Sequence, residues 1–209
     1  MVANGNVTLQ PATPELAGVV PDLLSATDPK LFSHLVGGRK DVLRAWISVL
    51  WAAPDNNFSH ELAVVAVRDG DLLGLELGYP GSAKKSLGRR NGELSLELLD
   101  EETLANIRTT AHQGLGYFTP HVPDKSYYLM FLSVAEAARN QGVGSRLLDN
   151  AFERARAAGL KSVHLDVFEG NPARRLYERA GMKALVETRV PGLEHDHGIP
   201  PHHRMVLNL

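Results

Sequence analysis

An α/β fold, with a mixed and mainly antiparallel sheet flanked by helices, follows from three features of the sequence. The apolar run Tyr127 to Val134 is strand-like and leads through Arg139-Asn140-Gln141-Gly142-Val143-Gly144-Ser145 into an amphipathic helix pattern. Ser162 to Phe168 reads as a further strand directly after that helix. Upstream, Glu61 to Val67 and Leu72 to Leu77 flank Arg68-Asp69-Gly70-Asp71, and an aspartate- and glycine-rich link between two apolar runs predicts a hairpin.

The other elements follow in chain order. Val7 to Gln10 reads as an edge strand, and a proline-punctuated helical region extends from about Pro14 to Val36. Asp41 is placed to cap a helix from Val42 to Ala53, which Pro54 to Asn57 breaks. Within the hairpin, alternation sets Glu76 on the side away from Leu73, Leu75 and Leu77. The stretch 79–126 is longer than an ordinary connection. Its middle, Leu96 to His112, has helical character, while Pro80 to Gly92 and Gly114 to Asp124 are rich in Gly, Pro and charge. A lid or wall of a substrate pocket, a passive surface insertion and a dimer contact all suit it. Leu147, Leu148, Ala151, Phe152, Ala155 and Ala158 form the apolar stripe of the next helix, and Gly159 ends it. After Ser162 to Phe168, Glu169-Gly170-Asn171-Pro172 makes a turn and Ala173 to Ala180 a short helix closed by Gly181-Met182. Strands from Lys183 and Arg204 complete the sheet, with Pro191 to His203 as the loop between them. No internal repeat appears.

The glycine turn carries the chemistry. Two glycines let the backbone turn tightly and approach a ligand, while the unpaired N–H groups of the first helical turn and the helix dipole favour an anion, phosphate above all. An ordinary strand-to-helix turn uses the same residues. Two nucleotide motifs are excluded: a dinucleotide fingerprint needs a small residue where Leu147 stands, and a P-loop needs a Gly-Lys-Ser/Thr that is absent.

Arg139-x-x-Gly142-x-Gly144, followed after the next strand by Asn171-Pro172-Ala173-Arg174-Arg175-Leu176-Tyr177-Glu178-Arg179-Ala180-Gly181-Met182, resembles the GNAT superfamily of acetyl-CoA-dependent N-acetyltransferases. The resemblance covers Tyr127 to Val190. It implies a single GNAT domain over 1–209 and an acetyl group moved from acetyl-CoA to a primary amine of a small molecule or peptide. It implies that Arg139, Asn140, Gln141, Gly142, Val143, Gly144 and Ser145 wrap the pyrophosphate of coenzyme A, with the charge of Arg146 close by. Leu132, Ser133 and Val134 would splay from the neighbouring strand, pair with the pantetheine arm and offer an N–H to the thioester oxygen. Asn171 would lie beside the cofactor, although the spacing from Asn171 to Tyr177 is one residue shorter than usual for the family. Tyr177 would be the acid that protonates the departing thiolate; the other reading is a tyrosine packed beside Leu176. Asp166 and Glu76 are candidates for the base, or else hydrogen-bonded strand carboxylates. The alternative function is a non-catalytic acyl-CoA-binding sensor or scaffold.

Composition bounds the rest. The chain has 209 residues, 44% apolar and 22% charged, with a formal net charge of −2. That suits one sizeable core and gives no basic excess for nucleic acid. Lys84, Lys85, Arg89 and Arg90 read as a solvated loop, with the 3′-phosphate of coenzyme A as another contact open to them. The absence of cysteine excludes an acyl-cysteine intermediate, so transfer would be direct, through a ternary complex. Met1 to Thr8 shows no basic segment followed by an apolar core, and Val42 to Ala53 is too short for a bilayer and contains Arg44. A cytoplasmic monomer or homodimer, with no membrane partner, is expected. His195, His197, His202 and His203 have the residue types for zinc without a convincing spacing. They are read as a polar or substrate-facing loop, and no metal is expected.

Overall fold

The computed structural model describes residues 6–209, so most of the segment where a secretory leader was sought lies outside the described residues. The strands are β1 (Thr8–Pro11), β2 (Ala63–Arg68), β3 (Asp71–Pro80), β4 (Ser126–Val134), β5 (Ser162–Phe168), β6 (Lys183–Thr188) and β7 (His202–Asn208). They form a sheet of order β1-β2-β3-β4-β5-β7-β6, antiparallel throughout except between β4 and β5. The expected mixed, mainly antiparallel sheet is present.

Helices cover both faces. On one lie α1 (Val20–Ser25), α2 (Pro29–Leu35), α3 (Lys40–Ala52), α4 (Lys84–Leu98) and α5 (Glu101–Gln113). Trp46, Ile47, Leu50 and Trp51 of α3 pack there with Leu75, Leu77, Tyr128 and Phe131 of the sheet. On the other lie α6 (Val143–Ala157) and α7 (Arg174–Arg179), where Leu148, Ala151, Phe152, Ala155 and Tyr177 meet Leu129, Val163, Leu165 and Met205. A short helix α8 (Pro191–His197) precedes β7. Among the described residues no helix is long and apolar enough to cross a membrane.

The hairpin closes as its turn chemistry requires. Asp69 and Gly70 both have positive φ, 52° and 89°, the signature of a two-residue turn whose twist matches the strands. Two register shifts then re-aim side chains. Ala66 pairs with Gly74 and Val67 with Leu72, leaving Leu73 as the extra residue of a bulge. Leu73 therefore joins Val7, Ala66 and Leu147 on the α6 side instead of lining up with Leu75 and Leu77. In β4, Phe131 pairs with Leu77 and Leu129 with Gly78, so Met130 is the extra residue.

Several other expectations are corrected. Arg39 occupies the N-cap of α3 and Asp41 sits inside its first turn, where its charge suits the dipole without capping. Lys84, Lys85, Arg89 and Arg90 lie on α4, not in a loop. Gly88 and Gly92 weaken that helix by roughly 1 kcal/mol each, but Leu87 and Leu94 pack into the α3 core and Trp46 Nε1 donates to Ser95 Oγ at 2.9 Å. The helix expected from Leu96 to His112 is interrupted because Asp100 Oδ1 accepts the Thr103 N–H at 2.8 Å and starts α5 afresh. Pro191 to His203 is α8 plus the start of β7, not one loop.

Candidate functional site

The parallel pair is short. β4 and β5 meet at Ser126 to Ser162, Tyr127 to Val163 and Tyr128 to His164, and no further. Ser126 Oγ and Ser162 Oγ, 2.8 Å apart, close this end. Beyond it the strands diverge into a wedge whose walls are Leu129–Val134 and Leu165–Phe168. Ala135 N–H donates to Leu73 O at 2.8 Å. Alternation along β4 therefore turns the backbone of Ser133 toward β3 and that of Leu132 and Val134 into the wedge. Ser133 Oγ is spent on Leu23 O at 2.6 Å, and Arg139 Nε donates to Val134 O at 3.3 Å.

At the mouth of the wedge the chain turns into α6. Asn140 (φ 61°) and Gly142 (φ 80°) are left-handed. That conformation costs a residue with a side chain about 1–2 kcal/mol and costs Gly142 nothing of the kind. The first helical bond runs from Arg146 N to Gly142 O at 3.1 Å, so the N–H groups of Val143, Gly144 and Ser145 have no partner within the helix. A Cβ on Gly144 would sit 3.2 Å from Leu176 Cδ2 and 3.5 Å from Val134 Cγ2, so the missing side chain brings β4, α6 and α7 together. A cleft of about 200 Å³ lined by Ser145, Leu148, Leu176 and Arg179 opens beside this turn. Gln141 is tied to Ala137 O at 2.7 Å and to Arg68 at 3.0 Å. Arg146 donates to Val7 O at 3.0 Å and so leans toward β1.

Tyr177 stands on α7 in the cluster that floors the wedge, with Leu129, Val167 and Leu132. It is 6% exposed, and burial pushes its phenol up, so it is protonated at neutral pH. Asn171 Oδ1 accepts the Ala173 N–H at 2.9 Å in the turn that precedes α7, leaving the amide NH₂ as its remaining polar group.

Both candidate carboxylates are committed elsewhere. Glu76 is 0% exposed beneath α6, where it accepts from Arg154 at 2.6 Å, Asn150 at 3.0 Å and Tyr127 at 3.3 Å. Burial raises its carboxyl most, and Arg154, Asn150 and Tyr127 pull the other way. Asp166, on the opposite face, accepts from Arg204 Nε and Nη2 at 2.7 and 2.8 Å and from Tyr128 OH at 2.9 Å. Arg204, 2% exposed, also donates to the carbonyls of Pro120 and His121. Sequence reasoning missed both networks. An arginine inside an apolar strand, and Asn150 with Arg154 one helical turn apart, were the available signals.

The histidines do not converge. His195 is exposed beside Asp196, His197 stacks on His34, His202 Nε2 lies 2.8 Å from Asp28, and His203 lies 3.9 Å from Glu187. Another histidine, His164, is buried, with Nε2 3.0 Å from Ser162 Oγ and Nδ1 unpartnered. Burial first, then the charge of Arg204, hold it below its ordinary 6.5, with Asp166 pulling the other way. A depressed folded value supplies stability above the unfolded value and loses it as pH falls through the folded one. Resistance to urea is therefore expected to drop between about pH 7 and about pH 5, and His164→Gln to flatten that slope. Equal slopes in both proteins would exclude His164 as the source.

Comparison with known proteins agrees with this geometry. The family model for the acetyltransferase (GNAT) family matches residues 41–182. A protein described as GCN5-related N-acetyltransferase 6, chloroplastic, from Arabidopsis thaliana is 34% identical over 70 residues, 33% of this chain and 24% of that protein. The match thus spans about a quarter of that relative's length. An N-acetyltransferase from Staphylococcus aureus Mu50 superposes with a TM-score of 0.71 at 16% identity, covering 96% of this chain and 100% of that one. A crystal structure described as an acetyltransferase gives 0.67 at 22% identity, covering 96% and 98%. The structural likenesses establish the fold, and the family match extends over more than half of the sequence. The chain belongs to the GNAT acetyltransferase family, and acyl-CoA-dependent acetyl transfer is the activity that membership implies.

Proposed function

We propose that the protein moves an acetyl group from acetyl-CoA directly to a primary amine of a small molecule or peptide, in a ternary complex. The observation that carries this reading is the wedge between β4 and β5, with a left-handed glycine turn at its mouth and a protonated tyrosine on its floor. The pyrophosphate of coenzyme A is assigned to the backbone from Arg139 to Ser145. The amide-bearing pantetheine arm is assigned to Leu132, Ser133 and Val134, with the backbone of Leu132 and the N–H of Val134 turned into the wedge, while Val134 O already accepts from Arg139. Asn171 contributes through its amide NH₂.

In the reaction so assigned, the amine nitrogen bonds to the thioester carbon and the carbon–sulfur bond breaks. An N–H of the β4 wall stabilises the oxyanion, and Tyr177 gives its proton to the departing thiolate. With Glu76 and Asp166 engaged, the surplus proton of the nitrogen leaves through water, and the phenolate recovers one by the same route. The segment 79–126 is assigned as a fixed wall of the acceptor pocket. Lys84 Nζ donates to Thr119 O at 3.0 Å, and Arg204 binds the same end of the segment to the sheet.

A non-catalytic acyl-CoA sensor or scaffold is the second reading, and one observation favours it: neither candidate carboxylate is free. Thiol release from acetyl-CoA across a panel of amines separates the two. Amine-dependent release is expected; tight coenzyme A binding with no release by any amine would leave the sensor reading standing.

A further inference from the structure

A cleft of about 640 Å³ lies on the outer side of α2, between it, α5 and α8. It is distinct from the wedge, because Phe32 and Leu35 of the same helix turn inward and Phe32 packs on Phe58 and Phe131. Lys30, Ser33, His34, Asn106 and His197 line it, and no carboxylate does. Nearby acids are already taken: Asp28 by His202 at 2.8 Å, Asp196 by His195 at 2.7 Å and Asp100 by Arg39 at 2.8 Å.

Its polar groups are held in place. Asn106 Nδ2 anchors on the carbonyls of His34 and Leu35, and Lys30 Nζ on Gly198 O at 2.9 Å, which leaves two of the lysine's three hydrogens unspent. His34 Nε2 lies 3.1 Å from Thr110 Oγ1, and its ring stacks on His197 with centroids 4.1 Å apart. Two stacked imidazoles and a lysine share this wall with no acid among them, so a proton on His34 meets no counter-charge there. Burial first, and His197 second, indeed hold His34 below its ordinary value. An anion in the cleft would offset the repulsion between His197 and a protonated His34.

We propose that this cleft is a second ligand site, which takes a small oxyanion held by Lys30, His34 and His197. It goes beyond acetyl transfer and does not depend on it. The test is titration of the full chain with inorganic phosphate and, separately, with acetate, following the histidine ring protons by NMR. The His34 and His197 signals are expected to move together and saturate with at least one of the two, while exposed His195 stays put. Whichever anion saturates identifies the preferred oxyanion. His197→Phe, which keeps a ring on the stack, and Lys30→Met are each expected to weaken binding about tenfold or more, and Ser33→Asp to abolish it. Non-saturating drift with both anions, shifts matched by His195, or unchanged affinity in both single variants would overturn the site.

Discussion

Tyr177→Phe is expected to lower turnover by about 100-fold or more, with coenzyme A affinity and folding stability nearly unchanged. The ring lies with Leu129, Leu165 and Val167 under the wedge, and phenylalanine fills the same volume. The variant loses only the hydroxyl. Burial keeps that hydroxyl protonated, so what disappears is a proton donor, and the thiolate must then leave unprotonated or take its proton from water. Turnover by thiol release and coenzyme A affinity by direct titration check the two halves separately. Unchanged turnover would remove Tyr177 from the chemistry, and a large loss of affinity would make it a binding residue instead.

Arg204→Met is expected to cost about 3–5 kcal/mol of stability, because it strands a buried carboxylate. Asp166 and Tyr128 lose their cation, and the carbonyls of Pro120 and His121 lose their donor. Two segments far apart in the chain would come loose together, the end of 79–126 and the middle of β5. Adding Asp166→Asn removes the stranded charge, so the double variant should unfold at a higher urea concentration than Arg204→Met alone. An Arg204→Met protein as stable as the parent would show the ion pair to be neutral. A double variant no better than the single would place the loss in the carbonyl contacts.

Much of this architecture is legible in the sequence where one local signal decides the matter. Asp69-Gly70 announces its hairpin because few residues accept two successive positive φ angles. The stripe from Leu147 to Ala155 announces α6, and Gly142 the turn before it. Alternation fails at Leu73, because a bulge is a property of two paired strands and no single strand encodes it. Composition misleads over Lys84–Leu98, where tertiary packing of Leu87 and Leu94 outweighs two helix-weakening glycines.

The candidate site divides in the same way. Its loop, its strand ends and Tyr177 each belong to a short motif that a few neighbouring residues define, whereas the fates of Glu76 and Asp166 depend on Arg154 and Arg204, far along the chain. A strand carboxylate offers no local sign of its partner. For the same reason the stacking of His34 on His197, from elements at opposite ends of the sequence, left no trace in it.

The strand order carries a consequence for assembly. β7 follows β6 in the chain yet is inserted between β5 and β6, and β5 rests along its whole length on β7 while touching β4 only at its closed end. The β5 wall of the wedge is therefore secured by a contact that must first enclose α7, β6 and α8, with the closure entropy that such a loop entails. β4 in turn rests on β3 through a contact that encloses the still longer segment 81–125, so both walls of the wedge depend on pairings between residues distant in the chain and neither is set by local structure alone.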